Sequence, residues 1–103
     1  MRTIEEVRNE LIQKFEKAGV AQVQGYNSFG FIKRTEGGFY ISREAGEDTY
    51  ISNKKLDQAI DAVRQNHTVY SGGPSKLRPF GITHVNSPIW AVLHLIPLHE
   101  YRL

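Results

Sequence analysis

The sequence predicts a single α+β domain with an N-terminal amphipathic helix, an antiparallel sheet of three to four strands, and two further helices packed on one face of the sheet. Apolar residues recur at helical spacing at the start of the chain and again in its second half. The region between them alternates in the manner of strands and contains glycine-rich turns. The length of 103 residues, 40% of them hydrophobic, suits one globular domain spanning residues 1–103.

The first helix is predicted over residues 3–18. Thr3 followed three positions later by Glu6 is the pattern of a capping box, in which each side chain accepts a hydrogen bond from the backbone of the other residue. Apolar residues then recur every three or four positions, and Gly19 stands where a left-handed residue would end the helix. We therefore expect an amphipathic helix whose apolar stripe faces the core.

Strands are predicted at residues 28–34, 39–43 and 49–51, with residues 20–24 as a candidate for a fourth. The adjacent glycines at positions 37 and 38 favour a tight turn, because glycine adopts positive φ at little cost. The strands on either side of this turn should form a hairpin, and the third strand should continue it as an antiparallel meander.

Alternation within residues 28–34 assigns the side chains of this strand to two faces. The first face is expected to carry Phe29, Phe31 and Lys33, and the second Gly30, Ile32 and Arg34. The phenylalanines suit a buried core, whereas Tyr26 and Tyr40 are better candidates for exposure.

A second helix is predicted to begin at a cap supplied by Ser52 or Asn53 and to end near Gln65, with Asn66 as a left-handed residue. The region that follows is harder to assign. Residues 75–78 are predicted to form one short helical turn that the next residue, a proline, cuts off. For residues 80–85, the sequence is compatible with either a strand or an extended loop.

The last helix is predicted to have Ser87 as its N-cap and Pro88 as its first residue, and to run through the apolar residues 89–96. It is apolar nearly all round, and a helix without a polar face is buried on every side. It must therefore fill the core or pack against a partner chain.

The composition excludes several classes of site. The absence of cysteine rules out a disulfide scaffold, a cysteine-ligated zinc site, an iron–sulfur cluster and a cysteine nucleophile. We find no motif for another metal and no cofactor fingerprint, so we expect neither, and the sequence favours a non-enzymatic protein. The charged N-terminal residues do not form a signal peptide, and no apolar stretch reaches the ~20 residues that span a bilayer. A cytoplasmic protein without membrane contact is expected.

The positive charge lies mostly in the second half of the chain. Residues 1–52 contain seven Lys or Arg and eight Asp or Glu, whereas residues 53–103 contain six and three. Accessible cations near exposed backbone N–H groups are what phosphate contact requires. The segment from Ser71 to Arg78 adds two adjacent glycines, which let backbone amides converge on an anion. We predict a nucleic-acid or other polyanion surface formed by Lys33, Arg34, Lys54, Lys55, Arg64, Gly72, Gly73, Ser75, Lys76, Arg78 and His84.

The alternative prediction is a small homo-oligomeric interaction or accessory protein. It depends on the apolar last helix and on the C-terminal residues Leu98, Tyr101 and Leu103, which could pack across the two-fold axis of a dimer. A dimer would double the predicted basic surface, so the two hypotheses are compatible.

Overall fold

The computed structural model describes residues 2–101. Its helices and strands confirm the predicted α+β class. In chain order they are α1 (Ile4–Ala18), β1 (Val20–Ala21), β2 (Phe29–Arg34), β3 (Gly38–Arg43), β4 (Thr49–Ser52), α2 (Asn53–Gln65), α3 (Thr68–Ser71), the 3-10 helix η1 (Pro74–Phe80), α4 (Asn86–Leu93) and the 3-10 helix η2 (Leu98–Tyr101).

The four strands form one antiparallel sheet in the order β1-β2-β3-β4, as the meander prediction requires. Helices α1, α2 and α4 pack against the sheet. The side chains that meet them, Phe29, Phe39, Ile41 and Ile51, are buried. Tyr40 is half-buried and Tyr50 is exposed, because alternate residues of a strand point to opposite faces. The sheet therefore has an inner face against the helices and an outer face with accessible side chains.

Helix α1 has the ends that its sequence predicts. The Glu6 backbone N–H donates to Thr3 Oγ1 at 3.1 Å, and the Thr3 N–H donates to Glu6 Oε1 at 2.8 Å. The Thr3 hydrogen bond lowers the pKa of the Glu6 carboxyl. Gly19 ends the helix at φ 80°. On the buried side, Phe15 meets Phe31 edge-on at 5.3 Å between ring centroids.

A β-bulge in β2 overturns part of the predicted face assignment. Phe31 pairs with Ile41, but the next pair is Lys33 with Tyr40, so Ile32 is an extra residue. An extra residue inverts the alternation beyond it. Lys33 therefore lies on the outer face instead of sharing a face with Phe31, and Arg34 lies on the helix side, where it donates to Asn9 Oδ1 of α1 at 2.6 Å.

The connection between α2 and α4 differs most from the prediction. Asn66 ends α2 in an extended conformation with φ −149°, not a left-handed one, and the short helix α3 was not predicted. Helix η1 runs through Pro79 to Phe80 and ends at Gly81, which has φ 83°. The N–H of Gly81 donates to Arg78 O, and that of Ile82 donates to Leu77 O. This cap turns the chain, so residues 80–85 do not form a strand.

Helix α4 begins at Asn86, one residue before the predicted N-cap Ser87, and ends at Leu93 instead of residue 96. Pro88 still lies in the first turn, where its missing N–H breaks no hydrogen bond. The helix is buried on all sides, as its composition predicts, and this burial occurs within one chain. Between residues 2 and 101, no helix is long and apolar enough to cross a membrane.

Candidate functional site

A row of three side chains crosses the outer face of the sheet on β2, β3 and β4. Lys33 pairs in register with Tyr40, and Tyr40 pairs with Tyr50. The two tyrosine ring centroids are 5.0 Å apart, and Lys33 Nζ lies 5.2 Å from the centroid of the Tyr40 ring. Tyr50 is 41% exposed. We call Lys33, Tyr40 and Tyr50 the outer row; it offers two aromatic rings and one cation on an open face.

Two glycines, Gly37 of the β2–β3 turn and Gly38 at the start of β3, leave room for the end of the Tyr50 ring. A Cβ atom would lie 2.9 Å from Tyr50 Oη at Gly37 and 2.8 Å from it at Gly38. Without side chains at these positions, the phenol can lie close to the backbone. The turn is itself tied to the start of α2, because Asn53 donates through its backbone N–H to Gly37 O at 2.8 Å. The outer row therefore stands on a fixed part of the backbone.

A cavity of about 210 Å³ continues the surface beyond Tyr50, at the edge of β4. Its polar lining includes Ser52, Lys55, Thr83 and His84. Lys55 Nζ donates to the Gly81 carbonyl at 2.8 Å. Thr83 and His84 are exposed. The cavity therefore joins a lysine and a histidine to the tyrosine end of the outer row.

Arg43 holds the segment that carries His84 against the sheet. Its Nε donates to Thr49 Oγ1 at 2.8 Å, and its Nη2 lies 3.4 Å from the His84 carbonyl oxygen. The guanidinium also lies over the ring of Phe29, 5.9 Å from its centroid. Arg43 thus acts as a positioning residue for the cavity wall.

The ion pairs of the described residues gather on and around α1. Arg8 pairs with Asp57 of α2 at 2.7 Å, and Arg2 pairs with Glu100 at 2.9 Å and also with Glu10. Within residues 2–101, no carboxylate lies within ion-pair distance of Lys33, Lys54, Lys55, Lys76 or Arg78. Among residues 2–101, these five cations are therefore not neutralised by a direct ion pair.

The structure brings together only some of the residues that the sequence predicts for anion binding. Lys33, Lys55 and His84 are linked through Tyr40 and Tyr50, as described above. Lys54 is exposed beside Lys55 in the first turn of α2. Arg78, also exposed, adjoins this group, because its carbonyl accepts the Gly81 N–H while the Gly81 carbonyl accepts Lys55 Nζ.

The glycine-rich segment lies at the start of η1 and does not line the cavity. The side chain of Lys76 packs over Gly72, where an added Cβ would lie 2.8 Å from Lys76 Cγ. Gly73 is buried, with φ 95°, and Ser75 is exposed. These residues supply charge near α2 but no cradle that the structure connects to the outer row.

Two predicted cations have structural partners instead. Arg34 bonds to Asn9 on the inner side, as the bulge requires. Arg64 donates to the backbone carbonyls of Tyr101 at 2.9 Å and Arg2 at 2.7 Å. The Arg64 guanidinium thereby links Arg2 to Tyr101, and it stands apart from the outer row.

Two of the three residues predicted to form a dimer interface, Leu98 and Tyr101, pack against the core of their own chain. Tyr101 is fully buried in its own chain, where its hydroxyl donates to the Leu93 carbonyl, and burial raises the pKa of its phenol. Leu98 is half-buried against the core. Leu103 lies outside the described residues. Tyr101 therefore belongs to the core and not to an exposed interface.

Comparisons with protein families, with curated proteins and with solved structures gave no match for this chain. Among residues 2–101, no group of three His, Asp or Glu side chains is placed to hold a metal ion.

Tyr40, Tyr50 and Arg43 are site residues that the predicted binding set lacks, and Tyr40 was predicted only to be exposed. Tyr50 precedes the buried Ile51 in a predicted strand, so alternation alone places it opposite the core. The contact of Arg43 with His84 joins residues 41 positions apart, and no local pattern indicates it.

Proposed function

We propose that this protein is a non-enzymatic binding module that takes single-stranded nucleic acid on the outer face of its sheet. The observation that carries the proposal is the outer row, in which two adjacent tyrosines and one lysine stand on a face that the helices leave open. Nucleobases stack on exposed aromatic rings, and lysines contact the phosphates between them. This chemistry needs neither a metal nor a reactive side chain.

The position of the cations supports a strand crossing the row. Lys33 lies at one end, and Lys55 and His84 line the cavity at the Tyr50 end. Neighbouring strands are about 4.8 Å apart, so the row spans about 10 Å. Two bases on Tyr40 and Tyr50 would thus have a cation on either side for their phosphates. A duplex could not use the rings in this way, because its bases are already stacked on one another.

The test is fluorescence anisotropy with a labelled single-stranded oligonucleotide of about 12 residues, DNA or RNA. We expect affinity to fall between about 50 and 200 mM salt, with a log–log slope of roughly −2 if three phosphates are contacted. Tyr50→Ala should weaken binding about 5- to 150-fold, because loss of one base–aromatic stack costs about 1–3 kcal/mol. Tyr50→Phe retains the ring and should bind almost as wild type.

A matched pair of charge variants separates the outer row from general attraction. Lys33→Ala should lower affinity and the salt slope, whereas Lys17→Ala removes the same charge from an exposed position in the last turn of α1 and should change little. Equal losses in the two variants would contradict the proposal. Equal affinity for a duplex, or binding of heparin but not of oligonucleotides, would replace it with a general polyanion surface.

Homodimerisation stays a prediction of the sequence. The last helix was one reason for it, and the structure gives that helix another explanation, since α4 is buried among elements of its own chain. Light scattering at tens of micromolar protein tests the dimer directly, with Leu98→Glu as the disruptive variant.

A further inference from the structure

A second cavity, of about 200 Å³, lies between the β1–β2 connection and the start of α4. Tyr26 and Asn27 line it from the connection, and Ser87 and Trp90 line it from the helix, with Phe29 of β2 between them. None of the residues that line this cavity is charged. It shares no residue with the outer row or with the cavity beside Tyr50, so the inference below is independent of the proposed function.

The helix side of this cavity is held in place by two hydrogen bonds. Trp90 is only 3% exposed, and its indole N–H donates to the Val69 carbonyl at 2.9 Å. The amide of Asn86 donates to the Pro74 carbonyl at 3.3 Å, which joins the start of α4 to the start of η1. The indole therefore presents its ring, and not a free donor, to the cavity.

The opposite side combines a fixed backbone with an accessible ring. The backbone of Tyr26 is held at both its N–H, which donates to Val23 O at 2.9 Å, and its carbonyl, which accepts from Gln22 Nε2 at 2.9 Å. The Tyr26 ring is 47% exposed and meets Trp90 edge-on, with 4.9 Å between the centroids. Since side-chain rotation is fast at exposed positions, this ring can adjust to a molecule that enters.

We propose that this cavity binds one neutral, flat nitrogen heterocycle of the size of a nucleobase. An engineered cavity of about 150 Å³ is known to hold benzene, so about 200 Å³ suits one or two fused rings. The aromatic walls favour a planar molecule. The Ser87 hydroxyl and the Asn27 amide supply both donors and acceptors, which a heterocycle can use and a purely apolar occupant cannot. The uncharged lining offers no counter-charge to a phosphate or a carboxylate.

Trp90 is the only tryptophan of the chain, so its emission reports on this cavity directly. We expect adenosine and uridine, which carry no phosphate, to change the Trp90 emission saturably, whereas benzene and inorganic phosphate should not. Tyr26→Ala should weaken nucleoside binding at least tenfold. The ring of Tyr26 is half exposed, so the variant should retain its fold, and circular dichroism checks this. Ser87→Ala should weaken binding several-fold.

The outcomes separate this cavity from the outer row. Tyr50→Ala should leave the nucleoside titration unchanged even where it abolishes oligonucleotide binding. Absence of a saturable change up to the solubility limit of both nucleosides would overturn the inference. So would saturation by benzene alone, which indicates an apolar void, or by phosphate alone, which indicates an anion site. Loss of the signal in Tyr50→Ala but not in Tyr26→Ala would place the bound nucleoside elsewhere and also overturn it.

Discussion

Replacing Trp90 by alanine is the most direct test of the core that supports both cavities. The side chain is almost completely buried, and a buried tryptophan removes about 200 Å² of surface from water. At about 25 cal/mol per Å², this burial corresponds to at most about 5 kcal/mol. The indole also donates to the Val69 carbonyl at 2.9 Å. This hydrogen bond is worth about 1 kcal/mol, and its loss in the variant would leave the buried carbonyl without a donor.

We therefore expect Trp90→Ala to lower the free energy of unfolding by about 3–5 kcal/mol, a large share of the total stability of a small domain. Urea denaturation followed by circular dichroism measures this loss without needing the tryptophan. Trp90→Phe keeps a ring but not the donor and should lose less. Native wild-type emission should lie at the blue end of the tryptophan range and move to the red on unfolding. Red emission from the native protein, together with an unchanged Tm in Trp90→Ala, would refute the assignment of Trp90 to the core.

Gly38→Ala should lower the Tm far more than Gly37→Ala does. A Cβ at Gly38 would lie 2.1 Å from the backbone carbonyl oxygen of Ile51, whereas a Cβ at Gly37 would meet only the movable end of the Tyr50 side chain. Equal melting temperatures of the two variants would contradict this explanation. Asp57→Leu should lose roughly 1–3 kcal/mol in urea denaturation, because it removes the 2.7 Å partner of the largely buried Arg8 and leaves only a longer contact of 3.7 Å with the exposed Glu5. The double variant Arg8→Met, Asp57→Leu should regain most of that loss, and a double variant no better than the single one would contradict the argument. Burial raises the pKa of Asp57 in spite of Arg8, so the folded chain holds this proton more tightly than the unfolded chain. Protonation of Asp57 therefore stabilises the folded chain. This stabilisation is fully present below the pKa of Asp57 in the unfolded chain, about 3.8, and is lost as pH rises through the pKa of Asp57 in the folded chain. Asp57→Asn should remove this part of the pH dependence of unfolding, and a profile that superimposes on the wild type would argue against it.

The elements that the sequence predicted well are those whose ends depend on neighbouring residues. The capping box of Thr3 and the left-handed Gly19 define α1 with no help from the rest of the chain. Ser52 caps α2 in the same local way, since its side chain accepts the Lys55 N–H at 3.2 Å. The turn at Gly37 and Gly38 fixes the hairpin. In each case the physical cause lies within about four residues.

The elements that were missed depend on contacts between distant parts of the chain. The bulge at Ile32 is a property of the register between β2 and β3, and the sequence of β2 alone does not reveal it. It reverses the faces of Lys33 and Arg34, so one predicted cation enters the outer row and the other bonds to α1. Arg64 has the sequence pattern of a surface base, but it bonds to Arg2 and Tyr101, which lie far from it in the sequence.

The outer row also has a structural effect that must be separated from binding. Cross-strand aromatic pairs stabilise a sheet by about 0.2–1 kcal/mol, so Tyr40 and Tyr50 contribute to stability whether or not a ligand exists. Lys33 contributes differently: it lies on an open face, and in the described part of the chain no carboxylate is within ion-pair distance of it. Removing Lys33 leaves the aromatic pair in place, and Tyr50→Phe keeps the stack without the hydroxyl. A row that served only the sheet would lose stability in Tyr50→Ala and at most about 0.5–1 kcal/mol in Lys33→Ala, the value of an exposed cation–π contact. A row that binds a polyanion also shows a smaller salt slope of binding in Lys33→Ala, and a purely structural role would not produce that change.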